Sequence, residues 1–122
     1  MARDLEMLNH AHDKAWSRRS RLRDISTQEE YLGAVVTTRH QVESAVNRTR
    51  FGTKCPTHHA EIRALAKIGS PKNATVYVAR ADAYGRWANA KPCAGCEDAL
   101  RKAGVKRVWW TVSPGVSGNM TL

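Results

Sequence analysis

The first apolar pattern along the chain has the period of an α-helix. Leu5, Leu8, His12 and Ala15 recur three or four residues apart and so fall on one side of a helix. The spacing predicts an amphipathic helix over about residues 2–19.

A strand pattern follows. Residues 31–38 are apolar and β-branched, and residues 41–48 carry valines among small or polar neighbours. The two segments are predicted to form a β-hairpin that turns near Arg39 and His40.

Helical and strand patterns then alternate. Thr57 is a plausible N-cap for a helix that runs to about Gly69, and Pro71 prevents its continuation. The later segments are predicted as a strand over 75–80, a loop that carries Trp87, a helix over about 93–103 and a strand over roughly 106–112. The fold class is therefore α/β, an α-β-α sandwich whose mixed sheet has four to five strands flanked by helices.

The end of the chain limits the last strand. Pro114-Gly115 and Ser117-Gly118-Asn119 are both turn signals, so at most a short strand is expected there. Only eleven residues follow Thr111, whereas a parallel strand needs a crossover of about a dozen or more. A last strand should therefore return as an antiparallel hairpin. With 122 residues, the chain is predicted to be a single domain over 1–122.

Composition and charge narrow the classes of function. The sequence has no apolar run of membrane-spanning length and no signal-peptide pattern at its start, so no membrane partner is expected and a cytoplasmic protein is predicted. The formal net charge of +9 would attract polyanions or phosphorylated small molecules. The basic residues are spread along the chain, and a functional basic surface and plain solvation both stay open.

The cysteines indicate a metal site. Three cysteines cannot form a fully paired disulfide framework, and Cys93 and Cys96 have the spacing of ligands. Cys55 is interpreted as a free thiol. A thioredoxin-like redox pair is the alternative for the two spaced cysteines.

Two short motifs carry the candidate chemistry. His59-Ala60-Glu61 and Pro92-Cys93-Ala94-Gly95-Cys96 each open a predicted helix directly after a loop. In this order they match the H-x-E and P-C-x-x-C signature of zinc nucleobase deaminases. His59, Cys93 and Cys96 would hold Zn²⁺ with a fourth position open to water, and Glu61 would move protons without coordinating the metal.

From about Tyr31 to Thr111 the chain resembles the cytidine and deoxycytidylate deaminase superfamily. The resemblance rests on Gly33-Ala34-Val35, Asn47 and the strand at 75–80 together with the two motifs. It implies a cytidine deaminase-like fold, a homo-oligomer, and substrate-binding positions at Asn47 and Ala60, with Asn47 hydrogen-bonding the sugar or base. A turn residue that ends a strand is the alternative for Asn47.

The substrate is less sharply indicated. A histidine in the first ligand position resembles deoxycytidylate, tRNA adenosine and polynucleotide cytidine deaminases, whereas the short tail resembles the free-nucleoside and bacterial-toxin branches. Trp87 is the best candidate to stack on a base, with core packing as its alternative. The sequence predicts a hydrolytic deaminase of a cytosine-containing nucleotide or nucleoside, a small-molecule partner. The alternatives are an editing deaminase acting on cytosine or adenine in single-stranded DNA, RNA or tRNA, and an inactive zinc-stabilised binding module.

Overall fold

A computed structural model describes residues 2–19, 31–46, 60–82 and 84–122. The helices in these ranges are α1 (Ala2–Arg19), α2 (Ala60–Ala66) and α3 (Ala94–Ala103). The strands are β1 (Tyr31–Thr37), β2 (Val42–Val46), β3 (Thr75–Ala81), β4 (Trp87–Ala88), β5 (Arg107–Ser113) and β6 (Val116–Thr121). Among the described helices, none has the length and apolarity needed to cross a membrane.

The strands form one mixed sheet in the order β2-β1-β3-β5-β6, with β4 paired to β3 beside this path. β1 runs antiparallel to both β2 and β3, whereas β3 and β5 are parallel and are connected through α3. The predicted α/β class with a mixed sheet between helices is confirmed. The described residues form six strands, where four to five were predicted.

Helix α1 packs on one face of the sheet. Leu8 and Ala11 of the helix join Val35, Tyr77 and Ala79 of β1 and β3 in a buried cluster, referred to as the α1-side cluster. The Tyr77 hydroxyl donates a 2.6 Å hydrogen bond to the Asp4 carboxylate near the start of α1. The apolar side predicted for residues 2–19 thus lies against the sheet.

The close approach of α1 to β1 depends on Gly33. A Cβ atom at this position would lie 2.2 Å from the Ala11 carbonyl oxygen and 2.6 Å from the Ala15 amide nitrogen. Only a residue without a side chain fits here, because both neighbours are backbone atoms that cannot rotate away.

Helices α2 and α3 cover the opposite face. Because side chains alternate along a strand, the neighbours of the α1-side residues point to this second face. Its buried cluster comprises Ala34, Val36, Ala45, Ala60, Ala64, Ile68, Ala74, Val76, Val78, Ala90, Leu100, Val105, Val108 and Trp110.

Helix α2 ends earlier than predicted. Its last residue is Ala66, not Gly69, and the predicted N-cap Thr57 lies outside the described residues. The amides of Lys67 and Ile68 bond to carbonyls three residues earlier, at 3.1 Å each, so the chain leaves the helix through a tighter turn.

The short strand β4 lies where a loop was predicted. The Asp82 carboxylate accepts hydrogen bonds from the Tyr84 amide at 2.8 Å and the Arg86 amide at 2.9 Å. This side-chain turn, with Gly85 at a φ of 82°, returns the chain alongside β3.

The tail contains a full strand. β6 pairs antiparallel with β5, as the short length after Thr111 predicted, and Pro114-Gly115 forms the turn between them. The second predicted turn, Ser117-Gly118-Asn119, is wrong, since these residues lie within β6. A Cβ atom on Gly118 would lie 2.7 Å from the Trp110 ring, so the glycine makes room for the indole and does not bend the chain.

Candidate functional site

The site begins where the parallel strands β3 and β5 separate. They are paired from Thr75 with Arg107 to Val78 with Trp110. Beyond this point, hydrogen bonds of Thr111 join β3, β5 and the β4 segment. The Thr111 hydroxyl accepts from the Arg80 amide at 3.1 Å and donates to the Ala88 carbonyl at 2.7 Å. The carboxyl ends of parallel strands therefore diverge around a fixed hydrogen-bonded segment, and such crevices commonly bind ligands in α/β sheets.

The first turn of α3 presents two cysteines beside this crevice. Cys93 is the N-cap, and its sulfur accepts a hydrogen bond from the Cys96 amide at 3.5 Å. The Cys93 residue is exposed, Cys96 is buried, and no disulfide joins them. Unpaired amides and the helix dipole favour negative charge here, which suits thiolate ligands.

Glu61 lies in the first turn of α2 and is only 3% exposed. Its side chain forms a hydrogen bond with the Cys96 thiol, so two separate helices bring these residues together. Burial raises the pKa of Glu61 from 4.5 to about 7, although hydrogen bonds from its own backbone amide and from Cys96 oppose the shift. A carboxyl group with this pKa can both accept and donate a proton near neutral pH.

Burial also raises the pKa of the Cys96 thiol well above its ordinary value, and the neighbouring Glu61 charge adds to the effect. Ionising both groups in this environment is costly unless a positive charge lies between or beside them.

A pocket of about 270 Å³ opens onto Glu61 and Cys93. This is near the lower end of the roughly 300–1,000 Å³ usual for small-molecule sites, which is room for about one small ligand. The lining residues are Leu32, Glu61, Arg80, Asn89, Ala90, Lys91, Pro92 and Cys93.

The structure brings together some of the predicted site residues. Glu61 and Cys93 line the pocket, and the buried Cys96 forms hydrogen bonds with both of them. His59 and Asn47 lie outside the described residues, and so does Cys55. The functions assigned to all of these residues stay predictions.

Two predicted substrate-binding residues do not line this pocket. Ala60 is fully buried in the core between α2 and the sheet. Trp87 pairs with Ala81 on β3 and packs against the α1-side cluster, on the other face of the sheet from Glu61. The placement agrees with the alternative interpretation, in which Trp87 contributes to packing.

The sequence analysis missed three polar residues of the pocket: Arg80, Asn89 and Lys91. Two signals in the sequence could have found Arg80 and Lys91. Arg80 alternates with the buried Val76 and Val78 along one strand, so it shares their face of the sheet. Lys91 stands two residues before the first cysteine of the second motif.

The arrangement of a buried carboxyl beside cysteines at a helix start has a counterpart among known families. The family model described as the cytidine and deoxycytidylate deaminase zinc-binding region matches residues 3–112. The chain belongs to this family. A search of curated proteins finds no match to it.

The residues of the site fit the zinc of this deaminase family. Cys93 and Cys96 are soft sulfur donors one helical turn apart at a helix start, the kind of pair that zinc prefers. A divalent cation would also supply the positive charge that Glu61 and Cys96 need when both are ionised. The resemblance to zinc-dependent deaminases suggested by the two motifs is therefore confirmed at the level of the family.

Proposed function

We propose that this protein is a hydrolytic deaminase of a cytosine-containing nucleotide or nucleoside, with zinc held by His59, Cys93 and Cys96. The observation that carries the proposal is the buried Glu61 carboxyl. It is hydrogen-bonded to Cys96 and lines the same pocket as Cys93. A glutamate that only solvates the surface would not be buried beside a cysteine proposed to bind zinc. The position of Glu61 therefore supports a role in proton transfer inside the pocket.

Zinc, when bound, supplies a Lewis acid that makes water a nucleophile near neutral pH. Glu61 takes a proton from the attacking water and delivers it to the ring nitrogen next to the amino-bearing carbon. The water oxygen is then bound to that carbon as a hydroxyl group, and the same carboxyl takes the hydroxyl proton and passes it to the departing amine. The bond from carbon to the amino nitrogen breaks, a carbonyl replaces it, and the products are the uracil compound and ammonia.

The pocket walls select and orient the base. The pocket volume of about 270 Å³ suits one base with its sugar, so further nucleotides of a polymer would lie outside the pocket. Leu32 and Pro92 offer apolar surface to a ring, and Asn89 offers an amide to its polar edge. These contacts hold the amino-bearing carbon near Glu61.

A mass-spectrometric screen tests the activity. Zinc-loaded protein is incubated with cytosine, adenine and guanine compounds as bases, nucleosides, nucleotides and short oligonucleotides. Exchange of an amine for a carbonyl raises the product mass by about one unit, and we expect this change for a cytosine nucleotide or nucleoside.

Glu61→Gln is the matched variant, because it preserves the size and much of the hydrogen bonding of the side chain. We expect ammonia release to fall by about 10²-fold or more while zinc content and fold stay unchanged. Equal ammonia release by both forms would refute the role of Glu61, and zinc-loaded protein without any turnover would favour a binding module.

An editing deaminase of single-stranded nucleic acid is the second candidate, favoured by the net charge of +9. A polymer-acting enzyme must neutralise several phosphates, so its affinity for oligonucleotides would fall steeply with salt. Affinity measured over a range of salt concentrations separates the two candidates. Undetectable oligonucleotide binding at low salt would exclude the polymer substrate.

A further inference from the structure

Two cationic residues, Arg80 and Lys91, belong to the lining of the pocket, and the mechanism above uses neither of them. Arg80 is the next-to-last residue of β3, and its amide donates to the Thr111 hydroxyl at 3.1 Å. It is also paired with Ala88 of β4, so the backbone that carries this guanidinium group is held from two sides.

Lys91 is exposed, and its side chain lies over the Trp110 ring. Its ammonium nitrogen lies 5.8 Å from the centre of the Trp110 ring, a cation–π distance. Trp110 is 9% exposed and lies against Gly118, where a Cβ atom would be 2.7 Å from the ring. The indole is thus a fixed support, since the strand beneath it leaves no room for movement in that direction.

The backbone before Lys91 is fixed as well. The Ala90 amide donates to the Thr111 carbonyl at 2.8 Å, and the Lys91 amide donates to the Asn89 side chain at 3.3 Å. Thr111 therefore holds the backbone at both positions, since its hydroxyl accepts from the Arg80 amide and its carbonyl accepts from the Ala90 amide next to Lys91.

The charges are distributed unevenly across the pocket. The carboxyl of Glu61 is 3% exposed, whereas Lys91 is exposed and Arg80 half-buried. Among the described lining residues, positive charge is at the accessible part of the pocket and the acidic group is deep within it. A ligand that fits this pattern has an uncharged ring at one end and an anionic group at the other.

We propose that Arg80 and Lys91 bind the phosphate of the substrate, so that the enzyme acts on a nucleoside monophosphate in preference to the free nucleoside. This inference rests on the proposed function and names the substrate class for the same pocket. An arginine supplies a fork of donors to phosphate oxygens, and a lysine supplies a point charge.

Product binding tests the phosphate site without any need for turnover. The probes are uridine monophosphate and deoxyuridine monophosphate against the two free nucleosides, titrated calorimetrically into zinc-loaded protein. We expect a monophosphate to bind at least about tenfold more tightly than its nucleoside, as charge-assisted hydrogen bonds predict. Equal affinity for the two would overturn the proposal.

Lys91→Met removes the charge but keeps an unbranched apolar chain on the Trp110 ring. We expect about a tenfold loss of monophosphate affinity and less than about a twofold change for the nucleoside. Lys91→Arg should retain binding within a few-fold, and Arg80→Gln should behave like Lys91→Met.

Lys106→Met is the matched control. Lys106 is exposed and directly precedes β5, at the opposite end of that strand from Thr111, so it removes the same charge away from the pocket. An equal loss in Lys106→Met and Lys91→Met would show a general charge effect and overturn the proposal.

A further titration distinguishes a nucleoside monophosphate from the backbone phosphate of a nucleic acid as the group that Lys91 binds. A short single-stranded oligonucleotide is titrated into the same variants. If only the oligonucleotide depends on Lys91, the contact is with a backbone phosphodiester and the monophosphate proposal fails. Lys91-dependent monophosphate binding without deamination of any cytosine compound would instead refute the proposed function and leave the phosphate site standing.

Discussion

Replacement of Gly33 by alanine tests how closely α1 packs on the sheet. The new Cβ atom would lie 2.2 Å from the Ala11 carbonyl oxygen, whereas ordinary contacts begin near 3.4 Å. Helix α1 must therefore move away by about 1 Å, and a gap of this size forfeits roughly a quarter to a half of each dispersion contact across the α1-side cluster. The clash is with backbone, so a rotamer change cannot relieve it. We expect a loss of about 3 kcal/mol in the free energy of unfolding, at the upper end of typical overpacking costs.

Urea denaturation of the zinc-loaded protein, followed by circular dichroism, measures this loss. With a slope of about 2 kcal/mol per molar urea, the midpoint should fall by roughly 1.5 M. Gly69→Ala is the control, because its Cβ atom would meet nothing within 4 Å, and its midpoint should move by less than about 0.3 M. Equal midpoints for the two variants would refute the close packing of α1 on β1.

Two further predictions concern the other face of the sheet. In zinc-free protein the folded state keeps the Glu61 proton up to a pKa of about 7, against 4.5 for an ordinary glutamate, so stability is lost as pH rises through this window. Glu61→Gln should abolish this loss, and the gap between the two unfolding free energies should change by about 3 kcal/mol from pH ~4 to pH ~8; a constant gap would contradict the prediction. Gly118→Ala should lower stability by about 1–3 kcal/mol because its Cβ atom would lie 2.7 Å from the Trp110 ring, whereas Ser117→Ala beside it should be nearly neutral in a thermal unfolding assay. Unchanged stability in Gly118→Ala would mean that the ring does not lie against β6.

Much of the fold followed from periodicity. The helical spacing of Leu5, Leu8, His12 and Ala15 predicted α1 with its bounds, and the β-branched, valine-bearing segments on either side of Arg39 and His40 predicted the hairpin of β1 and β2. Helix α1 is long enough for one period to dominate, whereas β1 is buried on both faces and therefore has a continuous apolar run.

One error arose where a distant contact overrides a local signal. Gly118 and Asn119 have the composition of a turn, yet they lie in β6 because the Trp110 ring needs the space above a glycine. This contact cannot be recognised from neighbouring residues. β4 was missed for a different reason: the Asp82 turn that returns the chain beside β3 is local, but a strand of two residues has no periodic pattern.

The motif residues of the site could be predicted from the sequence, whereas most of the residues that line the pocket could not. The two motifs identified Glu61, Cys93 and Cys96, which the structure brings together. Trp87 lies on the α1 side because it pairs with Ala81, and its assignment to the substrate stays a prediction. Strand alternation indicates the face of Arg80, and the second motif lies beside Lys91, but only the pocket shows that the two residues share one site.

The central claim is that His59, Cys93 and Cys96 bind one zinc ion and leave a coordination position open. X-ray absorption spectroscopy of the zinc-loaded protein tests it most directly. The account predicts two sulfur neighbours at about 2.3 Å, one imidazole nitrogen at about 2.0–2.1 Å and one further light atom from solvent. Four protein donors around the metal, or fewer than two sulfurs, would contradict it.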